Sequence, residues 1–191
     1  MVGGSRGIGL AVAELLAAHG AGVVVNGRDA NAVSEAVERI GGSATGFAGS
    51  PADPATADAL IASCVAEFGG IDILVNCAGT AEPAGSSILT VTSAQFRELL
   101  EAHLGTVFET CRAAAPKLIA RGGGAIVNTS SFAFLGDYGG TGYPAGKGGV
   151  NALTLAIAAE LREYGVRRTW CVPARGRGCP PVRPTRSTSA S

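Results

Sequence analysis

An α/β domain built on a doubly wound parallel sheet, with helices on both faces, is the fold class this sequence predicts. Three observations carry the prediction. Short β-branched runs alternate with longer stretches of helical apolar spacing between residues 7 and 164. The apolar half of the composition is mostly Ala, Val, Leu and Ile, with few aromatics, a mix that suits α/β layers better than a β-sandwich. Glycines close most of the helical stretches, as left-handed caps do. Parallel strands need long crossovers, and an intervening helix supplies them with right-handed connections. A chain of 191 residues suits a single sizeable core.

The elements follow in order. Residues 7–19 have helical spacing and end at Gly20, and residues 22–26 form a short buried strand. Residues 31–40 read as a helix closed by Gly41 and Gly42, and residues 43–48 as a weak strand. An amphipathic helix over 54–68 ends at Gly69, and a strong buried strand covers 71–75. Residues 93–121 read as one long helix with Ser93 as its N-cap, kinked or divided at Pro116. A strand over 125–129 and a helix over 143–164 complete the alternation.

Composition excludes several classes of function. No apolar run is long enough to cross a bilayer, and no charged-then-apolar leader with a cleavage site is present. A cytoplasmic protein with no membrane partner is expected. Cys64, Cys77, Cys111, Cys171 and Cys179 form no C-x-x-C pair and stand at no ligand spacing from His. They read as free thiols in a reducing compartment, with no metal site. Net charge is zero, yet all the acidic residues lie at or before Glu163, and six arginines follow it with no acid among them. Among those arginines the only aromatic is Trp170, too few for a stacking surface, so no nucleic-acid partner is expected.

Two motifs carry chemistry. Gly3-Gly4-Ser5-Arg6-Gly7-Ile8-Gly9 stands immediately before the first helix. Glycines let a backbone turn tightly against a pyrophosphate, and a helix N-terminus offers free N–H groups and a favourable dipole. A tight structural turn is the plainer alternative. The strand over 22–26 runs into Asn26-Gly27-Arg28, where an acidic residue would hold a ribose 2′-hydroxyl and favour NAD. Gly27 stands in that place. Arg28 and Arg6 suit a 2′-phosphate instead, which favours NADP(H) over NAD(H), unless both are simply solvated. The second motif is Tyr143-x-x-x-Lys147. Four-residue spacing puts both side chains on one helix face, where an ammonium stabilises a phenolate and Tyr can pass a proton to or from a substrate oxygen. Two amphipathic surface residues would look the same. Pro144 fits only if the helix begins beside Tyr143.

Three further segments stand in order with these: Asn76-Cys77-Ala78-Gly79 after a strand, His103 on the long helix, and the strand Gly124-Ala-Ile-Val-Asn-Thr-Ser-Ser131. The whole set, over residues 1–167, resembles the classical short-chain dehydrogenases/reductases. The resemblance implies a Rossmann-like doubly wound sheet and an NADP(H)-dependent oxidoreductase. The implied substrate is a small-molecule ketone or secondary alcohol, with Tyr143 as general acid/base beside Lys147. It implies cofactor contacts from Gly3, Ser5, Arg6, Gly7, Ile8, Gly9, Arg28, Asn76, Ala78, Gly79, Tyr143 and Lys147. It implies a carbonyl-polarising serine, for which strand register selects Ser131 and the usual spacing to Tyr selects Ser130. It places His103 where the family commonly has Asn, holding a proton-relay water. Homodimers or homotetramers through the long helix and the Tyr143 helix are implied as well.

The sequence departs from the family pattern in places. Val2 stands where Thr is usual, Ser50 where Asp is usual, and Cys77 replaces the second Asn. Most of a first central strand is expected to be missing before Val2, which would expose neighbouring strand edges. Residues 168–191 are rich in Arg, Pro, Ser and Thr without periodicity and read as an irregular tail. They also read as a shifted reading frame, since permitted codons for residues 169–179 restore a strand and a Pro-Gly turn in another frame. The domain is therefore expected to be incomplete at both ends. A remnant that binds a dinucleotide without turnover, or an interaction-only protein, stands as the alternative.

Overall fold

The structure is a computed structural model that describes residues 1–136 and 140–172, apart from the side chain of Trp170. Five strands, β1 (Val23–Gly27), β2 (Ala44–Ala48), β3 (Ile73–Asn76), β4 (Gly124–Thr129) and β5 (Val166–Cys171), alternate with six helices. The helices are α1 (Gly7–Ala18), α2 (Ala30–Ile40), α3 (Pro54–Phe68), α4 (Ser93–Leu100), α5 (Thr106–Ala120) and α6 (Gly142–Glu160). Among the described residues every strand pair is parallel, β1 with β2 and β4 with both β3 and β5.

Val2 joins the two halves of the sheet. It bridges Asn26 of β1 on one side and Asn76 of β3 on the other. The bonds are Val2 N–H to Val75 O at 2.9 Å, Cys77 N–H to Val2 O at 2.9 Å, and Asn26 N–H to Met1 O at 2.9 Å. Strand order therefore reverses about Val2, and the glycine loop that follows lies at the topological switch point, the ligand crevice of open α/β sheets. Beside Val2 a cavity of about 390 Å³ separates β1 from β3, lined by Val23, Val24, Leu60, Ile61, Phe68 and Leu74 among others. The Met1 ammonium donates to Val24 O there at 2.8 Å, and burial pushes its pKa down to about 6.

The side-chain alternation of β1 buries both sheet faces. Val23 and Val25 pack with Ala13 of α1 and Ala36 of α2. Val24 packs on the opposite side, in the cluster that holds Leu60 and Ile61 of α3 and Val107 and Leu118 of α5. Helix starts are set by short polar side chains that satisfy otherwise free N–H groups. Asp29 caps α2, and Asp53 caps α3 ahead of Pro54.

The structure corrects four expectations. The N-cap of α4 is Thr92, not Ser93. Its hydroxyl accepts from Gln95 N while Gln95 Oε1 accepts from Thr92 N, a capping box that T-x-x-Q encodes. The long helix divides at a π-turn, Glu101–Gly105, rather than at Pro116. α5 runs through Pro116 because Ala113, Ala114 and Leu118 anchor that stretch in the core. Beyond 167, β5 continues to Cys171 across the expected boundary, paired with β4 from Gly124↔Val166 to Thr129↔Cys171. The sheet supplies pairing that composition does not encode. Cys171 is disulfide-bonded, against the free thiol expected. The remainder of the expected tail, 173–191, lies outside the described residues.

Val2 has no exposed surface. Replacing it with Ala is expected to cost about 2 kcal/mol from lost apolar contacts and the cavity left behind. Leu15→Ala, at a side chain 60% exposed, is expected to cost no more than about 0.5 kcal/mol. Urea unfolding midpoints of the two variants check both values.

Candidate active site

Two adjoining cavities lie at the switch point. The first, about 620 Å³, is lined by Gly3, Ser5, Arg6, Ile8, Gly9, Arg28, Ala78 and Gly79, with Asn26, Gly27, Ser50 and Thr106 around them. Two glycines are required sterically. A Cβ on Gly3 would sit 2.6 Å from Ala78 N, and one on Gly9 would sit 2.1 Å from Gly3 O. The loop therefore runs flush against the end of β3. α1 starts at Gly7 without a side-chain cap, so its first N–H groups are available to an anion. These are the properties a dinucleotide pyrophosphate needs, and the residues present fit it.

The end of the groove beside β1 is basic. Arg6 and Arg28 are exposed, and neither joins an ion pair among the described residues. The nearest acid in sequence, Asp29, accepts from Asn31 N and Ala32 N as the cap of α2. Its carboxylate is thus committed to the helix. Asn26 is buried and donates to Phe47 O and Gly49 O, each at 3.0 Å, which fixes the end of β1 against β2.

The second cavity, about 430 Å³, is lined by Tyr143, Lys147, Ser130, Ser131, His103 and Thr129. It shares Ile8, Cys77, Gly79 and Thr80 with the first. α6 begins one residue before Tyr143, and Pro144 falls in its first turn, where a missing N–H costs nothing. Lys147 Nζ donates to Thr129 O at 2.8 Å and lies 5.7 Å from the centre of the Tyr143 ring. His103 meets that ring edge-on at 4.8 Å.

The two serines differ in their partners. Ser130 is buried, and its hydroxyl donates to Lys147 O at 3.4 Å. Ser131 is half-buried, and its Oγ accepts from Ala133 N at 3.2 Å. Two expected cofactor contacts line neither cavity. Gly7 is exposed at the start of α1 with φ +58°. Asn76 is buried and points beneath the site, where it donates to Asn128 Oδ1 at 2.9 Å and accepts from Thr110 Oγ1 at 2.9 Å. Asn128 in turn donates to Thr154 Oγ1 at 2.9 Å. This web ties β3, β4, α5 and α6 together under the two cavities. T-x-x-x-T spacing on α5 and a lone Thr on α6 gave no signal of it in the sequence.

Burial sets the charges. It pushes the Lys147 pKa down to about 8, so the side chain is an ammonium at neutral pH. Burial and then the Lys147 charge push His103 down to about 4, against a hydrogen bond to Thr80 O and the Glu82 charge. His103 is therefore neutral, with Nε2 donating to Thr80 O at 2.9 Å. Its Nδ1 is buried and has no partner among the described residues. Glycines at 79 and 146 make room for the ring, since a Cβ on Gly79 would fall 2.7 Å from Nδ1.

A doubly wound sheet with a glycine-lined anion groove and an adjoining Tyr–Lys–Ser pocket defines a dinucleotide-binding α/β protein. The family model for short chain dehydrogenase matches residues 1–176, and the chain belongs to that family. It is 37% identical to the short-chain reductase protein NovJ of Streptomyces niveus, over 87% of this chain and 64% of that protein. It is 36% identical to a 3alpha-hydroxysteroid dehydrogenase of Mediterraneibacter gnavus, over 84% of this chain and 66% of that protein. The chain thus spans about two thirds of the length of these relatives. A crystal structure of a metagenomic short-chain oxidoreductase in complex with NADP superposes with a TM-score of 0.84 at 34% identity, covering 91% of this chain and 80% of that one.

The depressed His103 pKa makes stability depend on acid. Between pH 6.5 and 4 the unfolded state binds the proton and the folded state does not, so stability is lost as pH falls. The expected loss from this residue between pH 7 and 5 is about 2 kcal/mol. Urea midpoints at the two pH values, for wild type and His103→Asn, check it; the variant should lose correspondingly less.

Proposed function

We propose that the chain is an NADP(H)-dependent oxidoreductase that interconverts a small-molecule ketone and a secondary alcohol. The observation that carries the reading is the shared wall between the two cavities. Ile8, Cys77, Gly79 and Thr80 line both, so a dinucleotide lying over the glycine loop would reach the Tyr143 pocket. A nicotinamide bound there supplies or accepts the hydride.

The chain's own residues do the rest. Gly3, Ser5, Ile8, Gly9, Ala78 and Gly79 receive the pyrophosphate and the groups beyond it. Arg6 and Arg28, without carboxylate partners among the described residues, take the 2′-phosphate. That assignment is supported by Gly27 in place of an acid, by the commitment of Asp29 to its helix, and by the NADP in the similar structure. In reduction, Tyr143 gives its hydroxyl proton to the substrate oxygen, and in oxidation it takes one back. The Lys147 ammonium, held at Thr129 O, stabilises the resulting phenolate. Ser131 is favoured as the donor to the substrate carbonyl. Its Oγ accepts from Ala133 N and leaves the hydroxyl hydrogen free, whereas that of Ser130 is engaged with Lys147 O. His103 contributes a neutral ring, and its unpartnered Nδ1 is the atom through which a water relay would run. A cytoplasmic homo-oligomer fits this reading. Among the described residues no helix is long and apolar enough to cross a membrane, and exposed Phe108 on α5 and Leu155 on α6 offer apolar contacts.

NADPH oxidation with a panel of ketones tests the reading. Tyr143→Phe is expected to lower kcat about 10³-fold, with NADPH affinity, read by fluorescence titration, reduced far less than kcat. Binding without turnover in the wild type would contradict the catalytic part. Arg28→Asp is expected to raise KM for NADPH at least tenfold and leave KM for NADH nearly constant. An unchanged preference would contradict the 2′-phosphate assignment.

A further inference from the structure

The start of α6 is held from outside the helix. Its N-cap, Thr141, makes no side-chain cap bond. The free donors of the first turn are the N–H groups of Thr141, Gly142 and Tyr143, because Pro144 has none and Ala145 N–H reaches Thr141 O at 3.4 Å. All three go to one carboxylate, that of Glu82 in the loop after β3. Glu82 Oε1 accepts from Thr141 N at 3.3 Å and Gly142 N at 3.2 Å, and Oε2 accepts from Tyr143 N at 2.5 Å. Ser86 Oγ donates to Oε1 at 2.8 Å and orients the carboxylate. Gly140 lies against it, since a Cβ there would meet Glu82 Cγ at 2.8 Å. Two residues before Glu82, Thr80 O fixes the His103 ring.

We infer that Glu82 is a positioning residue, which sets the place of the Tyr143 side chain by holding the first turn of α6. The inference rests on the reading of Tyr143 as the acid/base. A negative charge at this helix end also matches the dipole. Burial pushes the Glu82 carboxyl up, but the bonds from Tyr143, Ser86, Gly142 and Thr141 outweigh it and hold it below the usual range. Glu82 is thus a carboxylate whenever the site works near neutral pH. Lys147 lies a full turn further on, is buried, and keeps its own bond to Thr129 O. Glu82 therefore governs Tyr143 without governing Lys147 or the dinucleotide groove.

The test compares wild type with Glu82→Ala, Glu82→Gln and Gly140→Ala in the full chain. In Glu82→Ala, amide exchange at Gly142 and Tyr143 is expected to accelerate about tenfold or more, with Val150 and Thr154 unchanged. The His103 ring-proton shifts, which sense the Tyr143 ring, are expected to move. Turnover of a ketone is expected to fall about 10²-fold in kcat, with NADPH affinity unchanged. Glu82→Gln keeps one acceptor oxygen and should recover part of each effect. Gly140→Ala, which crowds Glu82 while keeping its charge and also strains the backbone at φ +70°, should move the same signals in the same direction. Wild-type exchange and His103 shifts in Glu82→Ala would overturn the inference. So would a parallel loss of protection at Val150 and of NADPH affinity, which would mark general loosening. If the wild type turns over no ketone, the proposed function fails, and the exchange and shift readouts still decide the role of Glu82.

Discussion

The pairing of Val2 with both β1 and β3 is the constraint on which the rest of the molecule depends. Among the described residues it is the only backbone pairing that links the two half-sheets. On one side stand β1, β2 and the helices that cover them. On the other stand β3, β4 and β5, which carry the Tyr143 pocket. The glycine loop leaves directly from this junction. Gly3 lies so close to Ala78 that a methyl group would not fit. The residues that join the sheet therefore also set the floor of the dinucleotide groove.

A second layer of dependence lies under the pocket. Asn76, Asn128, Thr110 and Thr154 satisfy one another in a buried web that crosses β3, β4, α5 and α6. Such groups are costly when unpaired and rigid when fully paired. The web keeps the strand ends in register while leaving the cavity above it open. Lys147 extends the same logic with a charge. Among the described residues it joins no ion pair, its burial lowers its pKa to about 8, and its ammonium donates to Thr129 O. The same burial keeps His103 neutral next to it. A single positive charge is thus concentrated beside Tyr143.

Much of this was legible in the sequence, for physical reasons. The helix over 54–68 matches α3 at both ends, because Pro54 and Gly69 are local signals that tertiary contacts do not override. The glycine loop and the Tyr143–Lys147 pair were legible because spacing alone fixes which side chains share a turn or a helix face. What escaped depended on partners distant in sequence. The π-turn at His103 accompanies the seating of a ring between Gly79 and Gly146, and neither glycine lies near it in sequence. β5 was hidden by its arginines, because its pairing with β4 is a tertiary fact. Asn76 stood in the right segment, but its side chain turns down into the buried web, and only the packing of α5 reveals that. Glu82 lies about 60 residues from the amides it holds, and no periodicity reports such a contact.

The glycine groove and the Tyr143 pocket are proposed as one continuous site for hydride transfer from NADPH. The most direct measurement is mass spectrometry of the product after incubation of the full chain with NADPD, labelled separately on each face of the nicotinamide, and a panel of ketones. The account predicts a secondary alcohol carrying one deuterium at the carbinol carbon, from one label and not the other. Alcohol unlabelled from both forms, or label lost from the cofactor with no deuterated alcohol formed, would contradict it.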